Sequence, residues 1–498
     1  MLTRLKVNGF KNLSNVDVSF GPFTCIAGVN GVGKSNLFDA ITFLSAMADR
    51  PLMEAAKCIR DEHGGATDIK SLFLSYGDDF VREMSFEAEM IIPSDGYDDL
   101  GQQAEASITF LVYRLKLRYH ESGDVAAGER LEIEQEELTH VKLGEAHSHL
   151  CFRPSVKWRK SVVKGRRSGV AFLSTSEDGG KRVVKLHQDK GGGRPRSFLA
   201  ASLPRTVISS ANAAESPTAL LARREMQAWR LLQLEPSALR ASDPFNAPIH
   251  VGADGAHMAA TLHHLARANG ASGAAPAVYA QVANRLSELV GDVRDVLIDE
   301  DRQRELLTLQ VKDRDQRLHA ARALSDGTLR FLALVILELD PHACGLLCFE
   351  EPENGIHPDR IESMLELLKQ LTVDTTEKVG PDNPLRQVIV NTHSPAVVAR
   401  VEDGDLLVAE PKQEVVHGQR CQTVVFSWLS DTWRANAWPE TRPVSRGQLL
   451  SYLNPLSDAH DDDAETASSS RPTTKYRPSR RVKDRADLQP LLPGFDPE

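Results

Sequence analysis

The sequence predicts an α/β protein with a mainly parallel core sheet, an antiparallel β subdomain in its N-terminal part and a helical lobe in the middle. Short apolar strands near residues 346–349, 388–390 and 406–409 alternate with helices, a pattern typical of a parallel sheet covered on both faces. Another apolar strand, residues 23–27, runs into a glycine-rich loop and then a helix. These segments predict one sheet whose carboxyl edge carries polar loops.

The antiparallel subdomain is predicted from alternating apolar residues. Residues 108–112 alternate in one phase and residues 115–119 alternate in the opposite phase. We therefore expect a β-bulge between Val112 and Leu115. A second strand near residues 131–133 would complete a hairpin.

Changes in pattern divide the chain into four predicted parts. Residues 1–210 form a first lobe that includes the β subdomain and a basic segment. Residues 211–340 form a helical lobe, and residues 341–455 supply the remaining core strands and a C-terminal extension. Residues 456–498 contain few apolar residues, which predicts a disordered tail.

The composition excludes several classes of protein. A net charge of -10 excludes a uniformly basic nucleic-acid binder. No apolar run approaches the roughly 18–20 residues that span a bilayer, so we expect no membrane partner. The six cysteines form no paired CxxC framework, and we expect a cytoplasmic location.

The glycine-rich loop at residues 28–35 reads GVNGVGKS and fits the P-loop pattern GxxxxGK[ST] completely. Loops of this type wrap phosphates with backbone N–H groups, while the lysine reaches the β- and γ-phosphates and the hydroxyl binds Mg²⁺. The next helix directs its positive N-terminal end at the same anion. We therefore predict ATP and Mg²⁺ as cofactors. The predicted nucleotide-binding residues here are Gly28, Asn30, Gly31, Gly33, Lys34, Ser35 and Asn36.

Polar residues follow two other predicted core strands. Glu350 is expected to hold Mg²⁺ together with Ser35, and Glu351 to orient and deprotonate the attacking water. His393 is expected to contact the γ-phosphate or that water. Taken alone, these residues fit solvated strand ends and a structural histidine equally well. Beside a P-loop they predict catalytic roles for Glu351, His393 and Lys34.

Residues 324–328 read LSDGT and precede the most apolar helix of the chain. Ser325 and Gly327 lie at or just before its N-terminus, which attracts anions. The simpler interpretation is an ordinary helix cap, for which Ser and Asp are favoured. We include both residues in the predicted nucleotide site.

In this order the four motifs resemble those of ABC-type ATPases of the SMC and RecF group of the AAA family. LSDGT resembles the LSGGQ signature, FEEPENGIHP resembles the Walker B motif and D-loop, and NTHSP resembles the switch-histidine segment. The opening GFKNLSNVDVSF and residues 255–262 also resemble this group. The resemblance covers residues 1–50 and 320–410 well and the middle only in outline. It implies the fold of a P-loop ABC-type ATPase head.

The resemblance also implies a homodimer or higher homo-oligomer closed by ATP. In this family the signature of one copy contacts ATP in the P-loop of the other, so Ser325 and Gly327 would act on the partner's nucleotide. Two departures stand out, because Glu350 replaces the usual Asp and Asp326 replaces a Gly. They suggest altered Mg²⁺ geometry and slow hydrolysis.

No glutamine of the family's Q-loop is evident. Arg60, Gly64 and Gly65 are the only candidates that we find for that part of the site.

Other features of the sequence limit the classes of process that such an ATP-dependent switch would control. The absence of a membrane span argues against a transporter, and the absence of long heptad runs argues against a long-armed SMC protein. No Asp-x-Asp follows an apolar strand, which argues against a fused Toprim nuclease. The compact chain resembles the ATPase subunits of bacterial anti-phage systems of the Septu and PARIS kind, which control a separately encoded effector, often a nuclease. The alternative is a RecF-like DNA-repair ATPase.

A basic island extends from Lys157 to Arg196. Residues 152–196 contain 13 Lys or Arg and three Asp or Glu. The island could follow a nucleic-acid backbone, discourage strand pairing at solvated hairpin edges, or bind an acidic partner. The sequence leaves these three alternatives open.

Overall fold

The computed structural model describes residues 1–59, 68–121, 129–165, 171–189, 193–268, 274–438, 443–444, 447, 449, 452 and 480–485. The candidates Arg60, Gly64 and Gly65 lie outside these residues, as does most of the predicted tail.

A six-stranded sheet forms the core of the fold. Its members are β3 (Phe23–Ala27), β14 (Arg230–Leu232), β19 (Gly345–Glu350), β20 (Arg386–Thr392), β21 (Leu406–Val416) and β22 (Gln419–Ser427). The strand order is β14-β19-β20-β3-β21-β22, and every neighbouring pair is parallel except β21 with β22. The predicted mainly parallel core sheet is confirmed.

An eight-stranded antiparallel sheet forms the N-terminal subdomain. It contains β1 (Leu2–Asn8), β2 (Val16–Ser19), β6 (Glu83–Ile91), β9 (Phe110–His120), β10 (Arg130–His140), β11 (Leu173–Asp178), β12 (Lys181–Leu186) and β13 (Arg196–Leu199). The order is β13-β12-β11-β10-β9-β6-β1-β2. Two small hairpins join β4 (Ser75–Tyr76) to β5 (Asp79–Phe80) and β7 (Asp95–Tyr97) to β8 (Gln103–Glu105). The antiparallel subdomain and its β9–β10 hairpin are as predicted.

The prediction of a β-bulge between Val112 and Leu115 is wrong. β9 pairs with β6 without interruption, and the irregularity lies on the opposite side, in β10 between Ile133 and Gln135. The change of phase has another cause. Residues 110–113 are buried on both faces, because a small second core around Trp158 covers the face opposite the main core.

The middle of the chain contains several helices, and it also contains a sheet that the sequence analysis did not predict. Its helices are α5 (Pro217–Gln227), α6 (Pro236–Leu239), α7 (Met258–Ala268), α8 (Ala274–Val290) and α9 (Asp326–Leu339). Its strands are β15 (Asp243–Pro244), β16 (Val293–Asp301), β17 (Leu306–Asp313) and β18 (Leu318–Ala320), and the other three all pair with β17. Leu307, Leu309 and Val311 of β17 alternate with polar residues, which is a strand pattern that the sequence analysis overlooked between two helices.

The remaining helices lie on either side of this lobe in the chain. They are α1 (Lys34–Met47), α2 (Leu52–Lys57), α3 (Ala146–His149), α4 (Val156–Val162), α10 (Ile361–Gln370), α11 (Pro395–Arg400) and α12 (Trp433–Ala437). Within the described part of the chain, no helix is long and apolar enough to cross a membrane.

Each face of the core sheet is covered by its own hydrophobic core. On one face, α1 and the antiparallel sheet pack together, and the rings of Phe10, Phe43 and Phe86 lie 5.5 Å from one another. On the other face lie α9 and α10, and residues 329–337 of α9 are all buried. This burial holds α9 firmly against the sheet.

The aromatic residue at the start of the basic island belongs to the protein core. Trp158 is fully buried and its ring packs against Phe152, with ring centroids 5.8 Å apart. It is therefore unable to stack on a nucleic-acid base.

We predict that Trp158→Ala lowers the free energy of unfolding by about 3–5 kcal/mol, because it leaves a large cavity in the small core. Lys157→Ala, at the exposed neighbouring position, should change it by less than about 0.5 kcal/mol. Denaturant unfolding of both variants measures this. Equal stabilities would show that Trp158 is not a core residue.

Candidate nucleotide site

The loops that follow β3, β14, β19 and β20 meet at the carboxyl edge of the core sheet. They border a pocket of about 860 Å³, a volume within the usual range for small-molecule sites. Open parallel sheets bind ligands at this edge. The polar lining includes Lys11, Asn12, Asn30, Gly31, Gly33, Lys34, Ser35, Asn36, Gln233, Arg330, Glu350, Glu351, Asn354, Asn391 and Gln422.

The loop between β3 and α1 has the backbone geometry of a phosphate cradle. Gly31 and Gly33 have φ values of 78° and 108°, in the left-handed region that favours glycine. A β-carbon on Gly33 would lie 2.2 Å from Nδ2 of Asn12. That same nitrogen donates to the carbonyl of Val32 at 2.9 Å, and Oδ1 of Asn12 accepts from Asn36 at 2.9 Å. Asn12 thus holds the loop in shape, and no side chain fits at position 33.

Lys34 is the first residue of α1 and lines the pocket. Its ammonium group donates to the carbonyl oxygens of Gly28 at 2.7 Å and Val29 at 2.9 Å. Burial lowers the pKa of Lys34, and the carboxylates of the loop after β19 oppose this effect. The lysine and these carboxylates are therefore close enough to interact electrostatically.

Glu351 is held in an unusual backbone conformation. Its φ is 44°, a left-handed value that costs a non-glycine residue about 1–3 kcal/mol. Its N–H donates to both the main-chain oxygen and Oδ1 of Asn391, each at 3.1 Å. One carboxylate oxygen lies 2.6 Å from Nδ1 of His393, and the other accepts from Asn354 at 2.9 Å. These contacts fix the direction of the carboxylate.

Glu350 and Ser35 line the same pocket. Nδ2 of Asn391 lies 3.4 Å from Glu350, so this asparagine contacts both glutamates. Among the described residues, no group of three or more His, Cys, Asp or Glu could hold a metal by itself. One hydroxyl and one carboxylate beside a phosphate cradle fit Mg²⁺, which is commonly bound by one or two carboxylates plus substrate phosphates.

A third carboxylate lies behind this pair. Glu353 is 7% exposed, and burial raises its pKa. The hydroxyl of Thr392 donates to Oε1, while Oε2 has no hydrogen-bond partner within the described residues. The sequence analysis did not single out Glu353, although it belongs to the EEPE segment.

Ser325 and Gly327 lie outside the pocket of their own chain. Ser325 is the exposed N-cap of α9, and its hydroxyl accepts from the N–H of Thr328 at 3.2 Å. A β-carbon on Gly327 would lie 3.0 Å from the carbonyl oxygen of Gly355, in the loop after β19. The structure thus brings the signature next to the loop of Glu351 but not to the P-loop.

Asp326, which replaces a Gly of the family signature, is paired with an arginine. Asp326 accepts from Arg240 at 2.5 Å, and the same guanidinium donates to the carbonyl of Leu324 at 3.1 Å. The aspartate therefore anchors the start of α9 to the end of α6.

Several pocket residues were missed by sequence analysis. Gln233 directly follows β14, the strand beside β19, and lines the pocket. The sequence analysis found no Q-loop glutamine for this site. A three-residue strand gives almost no periodic signal, so nothing in the sequence marked the position. Lys11 and Asn12 come from the turn after β1, and Arg330 comes from α9.

Two family models match separate parts of the chain. One, described as "AAA domain, putative AbiEii toxin, Type IV TA system", matches residues 160–399. The other, described as an AAA domain, matches residues 4–66. Together they include the P-loop, the signature and the segments of Glu351 and His393. Both matches are thus to AAA domains, and they cover most of the segments that build the pocket.

Solved structures of SMC head domains match the chain at low sequence identity and with TM-scores below 0.5. A head bound to the C-terminal winged-helix domain of ScpA is 14% identical, with TM-score 0.46 over 86% of this chain and 98% of that one. A head with an extended coiled coil, bound to the C-terminal domain of ScpA derived from Pyrococcus furiosus, is 13% identical, with TM-score 0.42 over 86% and 96%. The Thermotoga maritima head domain is 12% identical, with TM-score 0.35 over 86% and 99%. No curated protein matches the sequence.

We predict that Asn391→Ala lowers ATP turnover by about 10- to 100-fold, because Glu351 and Glu350 both lose a contact that orients them. Binding of ATP should change little, since the P-loop is untouched. Steady-state turnover and equilibrium binding measure the two effects separately. Asn383, which bonds to the nearby loop residues Asp374 and Lys378 before β20, provides a matched control. Equal turnover in Asn383→Ala and Asn391→Ala would contradict the orienting role.

Proposed function

We propose that this chain is a Mg²⁺-dependent ATPase that works as a dimerising switch, with ATP bound between two copies. One observation carries the proposal. Lys34, Glu350 and Glu351 come from distant parts of the chain and line a single pocket at the carboxyl edge of the core sheet. His393 is hydrogen-bonded to Glu351 at the same edge.

Each residue then has a chemical role. The P-loop N–H groups and Lys34 bind the β- and γ-phosphates, while Ser35 and Glu350 hold Mg²⁺. When bound, Mg²⁺ neutralises charge on these phosphates. Glu351 accepts the proton of the attacking water, and His393 keeps its carboxylate aimed. The glutamate at position 350 in place of the usual aspartate supports slow hydrolysis.

The exposed signature supports the dimer. Ser325 and Gly327 lie outside their own pocket, and burial of residues 329–337 fixes α9 against the core sheet. The N-terminal end of α9 attracts anions, so the signature of one copy fits the ATP of another. Hydrolysis would remove the bridging γ-phosphate and release the closure.

Mixing two inactive variants tests this arrangement. Lys34→Ala removes the P-loop function, and Ser325→Arg blocks the signature. If ATP lies between copies, a mixed dimer keeps one intact site, and an equal mixture should recover about a quarter of wild-type turnover. If each chain completes its own site, the mixture stays as inactive as either variant, and the dimer proposal fails.

For the task of the switch, we propose control of a separately encoded effector nuclease in an anti-phage system. The family description that names a toxin of a type IV system supports this task. The longest described helix, α8, has 17 residues, so the described part of the chain contains no long coiled-coil arm. The second candidate is a RecF-like ATPase that acts on DNA.

The basic island gives the DNA candidate limited support. Arg182 lies 3.9 Å from Glu134 and Lys157 lies 3.6 Å from Glu377, so part of its charge is already balanced. This pattern fits solvated edges and helix faces at least as well as a nucleic-acid surface.

We predict that double-stranded DNA leaves ATP turnover unchanged, because the switch would await a protein partner. Turnover of wild type with and without DNA measures this. A DNA-stimulated rate that is lost in Lys157→Glu/Lys160→Glu, and kept in the exposed control Lys142→Glu, would instead establish the DNA-acting candidate.

A further inference from the structure

Arg330 is a buried cation that the proposed mechanism leaves without a role. Its side chain is 8% exposed, and its Nε atom has no hydrogen-bond partner in the described part of the chain. Within the described residues, its guanidinium forms no ion pair. A buried charge is unfavourable unless it is paired, so this arrangement calls for an anionic partner.

The nearby carboxylates do not supply that partner. Burial lowers the pKa of Arg330, and Asp326, Glu235 and Glu353 oppose the effect from a distance. Asp326 is already paired with Arg240 at 2.5 Å. The protein therefore places negative charge around Arg330 without neutralising it by direct contact.

The position of Arg330 indicates which anion it would meet. It lines the nucleotide pocket, and two of its charged neighbours follow β14 and β19. Glu350 and Glu351 line the same pocket. Glu353 acts electrostatically on both Arg330 and Lys34. Glu350 and Glu351 also act on Lys34. Arg330 therefore lies in the part of the protein where the proposed chemistry takes place.

We propose that Arg330 binds the terminal phosphate of ATP in the pocket of its own chain and thereby links that phosphate to α9. The inference rests on the proposed nucleotide binding. Arginine suits this task, because its planar guanidinium donates two parallel hydrogen bonds to phosphate oxygens. Ser325 caps the same helix, so one rigid element would touch the phosphate in one pocket and present the signature to the next.

The test compares affinities for a non-hydrolysable ATP analogue and for ADP, each with Mg²⁺, by calorimetry. Arg330→Met keeps the bulk of the side chain and removes its charge. We expect its affinity for the ATP analogue to fall by about 10- to 100-fold, as for the loss of charge-assisted hydrogen bonds, while its affinity for ADP stays within about twofold. Arg330→Lys should lose less, and Arg322→Met, at an exposed arginine before α9, should lose nothing.

Thermal unfolding without nucleotide separates this role from a structural one. Removing an unpaired buried charge should leave Arg330→Met at least as stable as wild type. Equal losses for ATP analogue and ADP, or no loss for either, would overturn the inference. If the Met variant fails to fold, the ratio of the two affinities in Arg330→Lys decides the question. If wild type binds neither nucleotide, the proposed function fails and this inference fails with it.

Discussion

Parallel strand direction is the constraint on which the site depends. β3, β19 and β20 lie side by side and run the same way, so the P-loop, the two glutamates and the histidine all emerge at one edge. Residues more than 300 positions apart in the chain thereby share a pocket. An antiparallel pairing of any of these strands would send its loop to the other end of the sheet.

Asn391 links the strand pairing of the core sheet to the position of the two glutamates. It is the next-to-last residue of β20, and its side chain contacts the two glutamates that end β19 and begin the next loop. The left-handed backbone at Glu351 is unfavourable by itself, and its paired contacts with Asn391 stabilise it. The direction of the Glu351 carboxylate, and with it the proposed proton transfer, thus depends on the register between two buried strands.

The helix α9 carries the signature at its start and contacts both the nucleotide pocket and the loop that follows Glu351. Its capping residue faces outward, Arg330 faces the pocket, and Gly327 packs closely against Gly355. Glycine at both contact positions allows the backbone of the helix start to approach the loop that follows Glu351. A shift of that loop would therefore also displace the start of the helix.

The sequence by itself determined the local chemistry of this protein. The GxxxxGK[ST] pattern, the apolar strands and the strongly apolar α9 are local signals, because glycine conformation and hydrophobic periodicity act over a few residues. Tertiary structure decided which residues meet. Gln233 and Arg330 carry no local signal of function, and the contacts of Asn391 with the two glutamates were not predicted. Strand order and helix packing bring all three residues to the same pocket. Tertiary structure likewise decided the burial of Trp158, which lies in the second core that covers β9. Its basic neighbours in the sequence do not indicate whether the ring is buried or exposed.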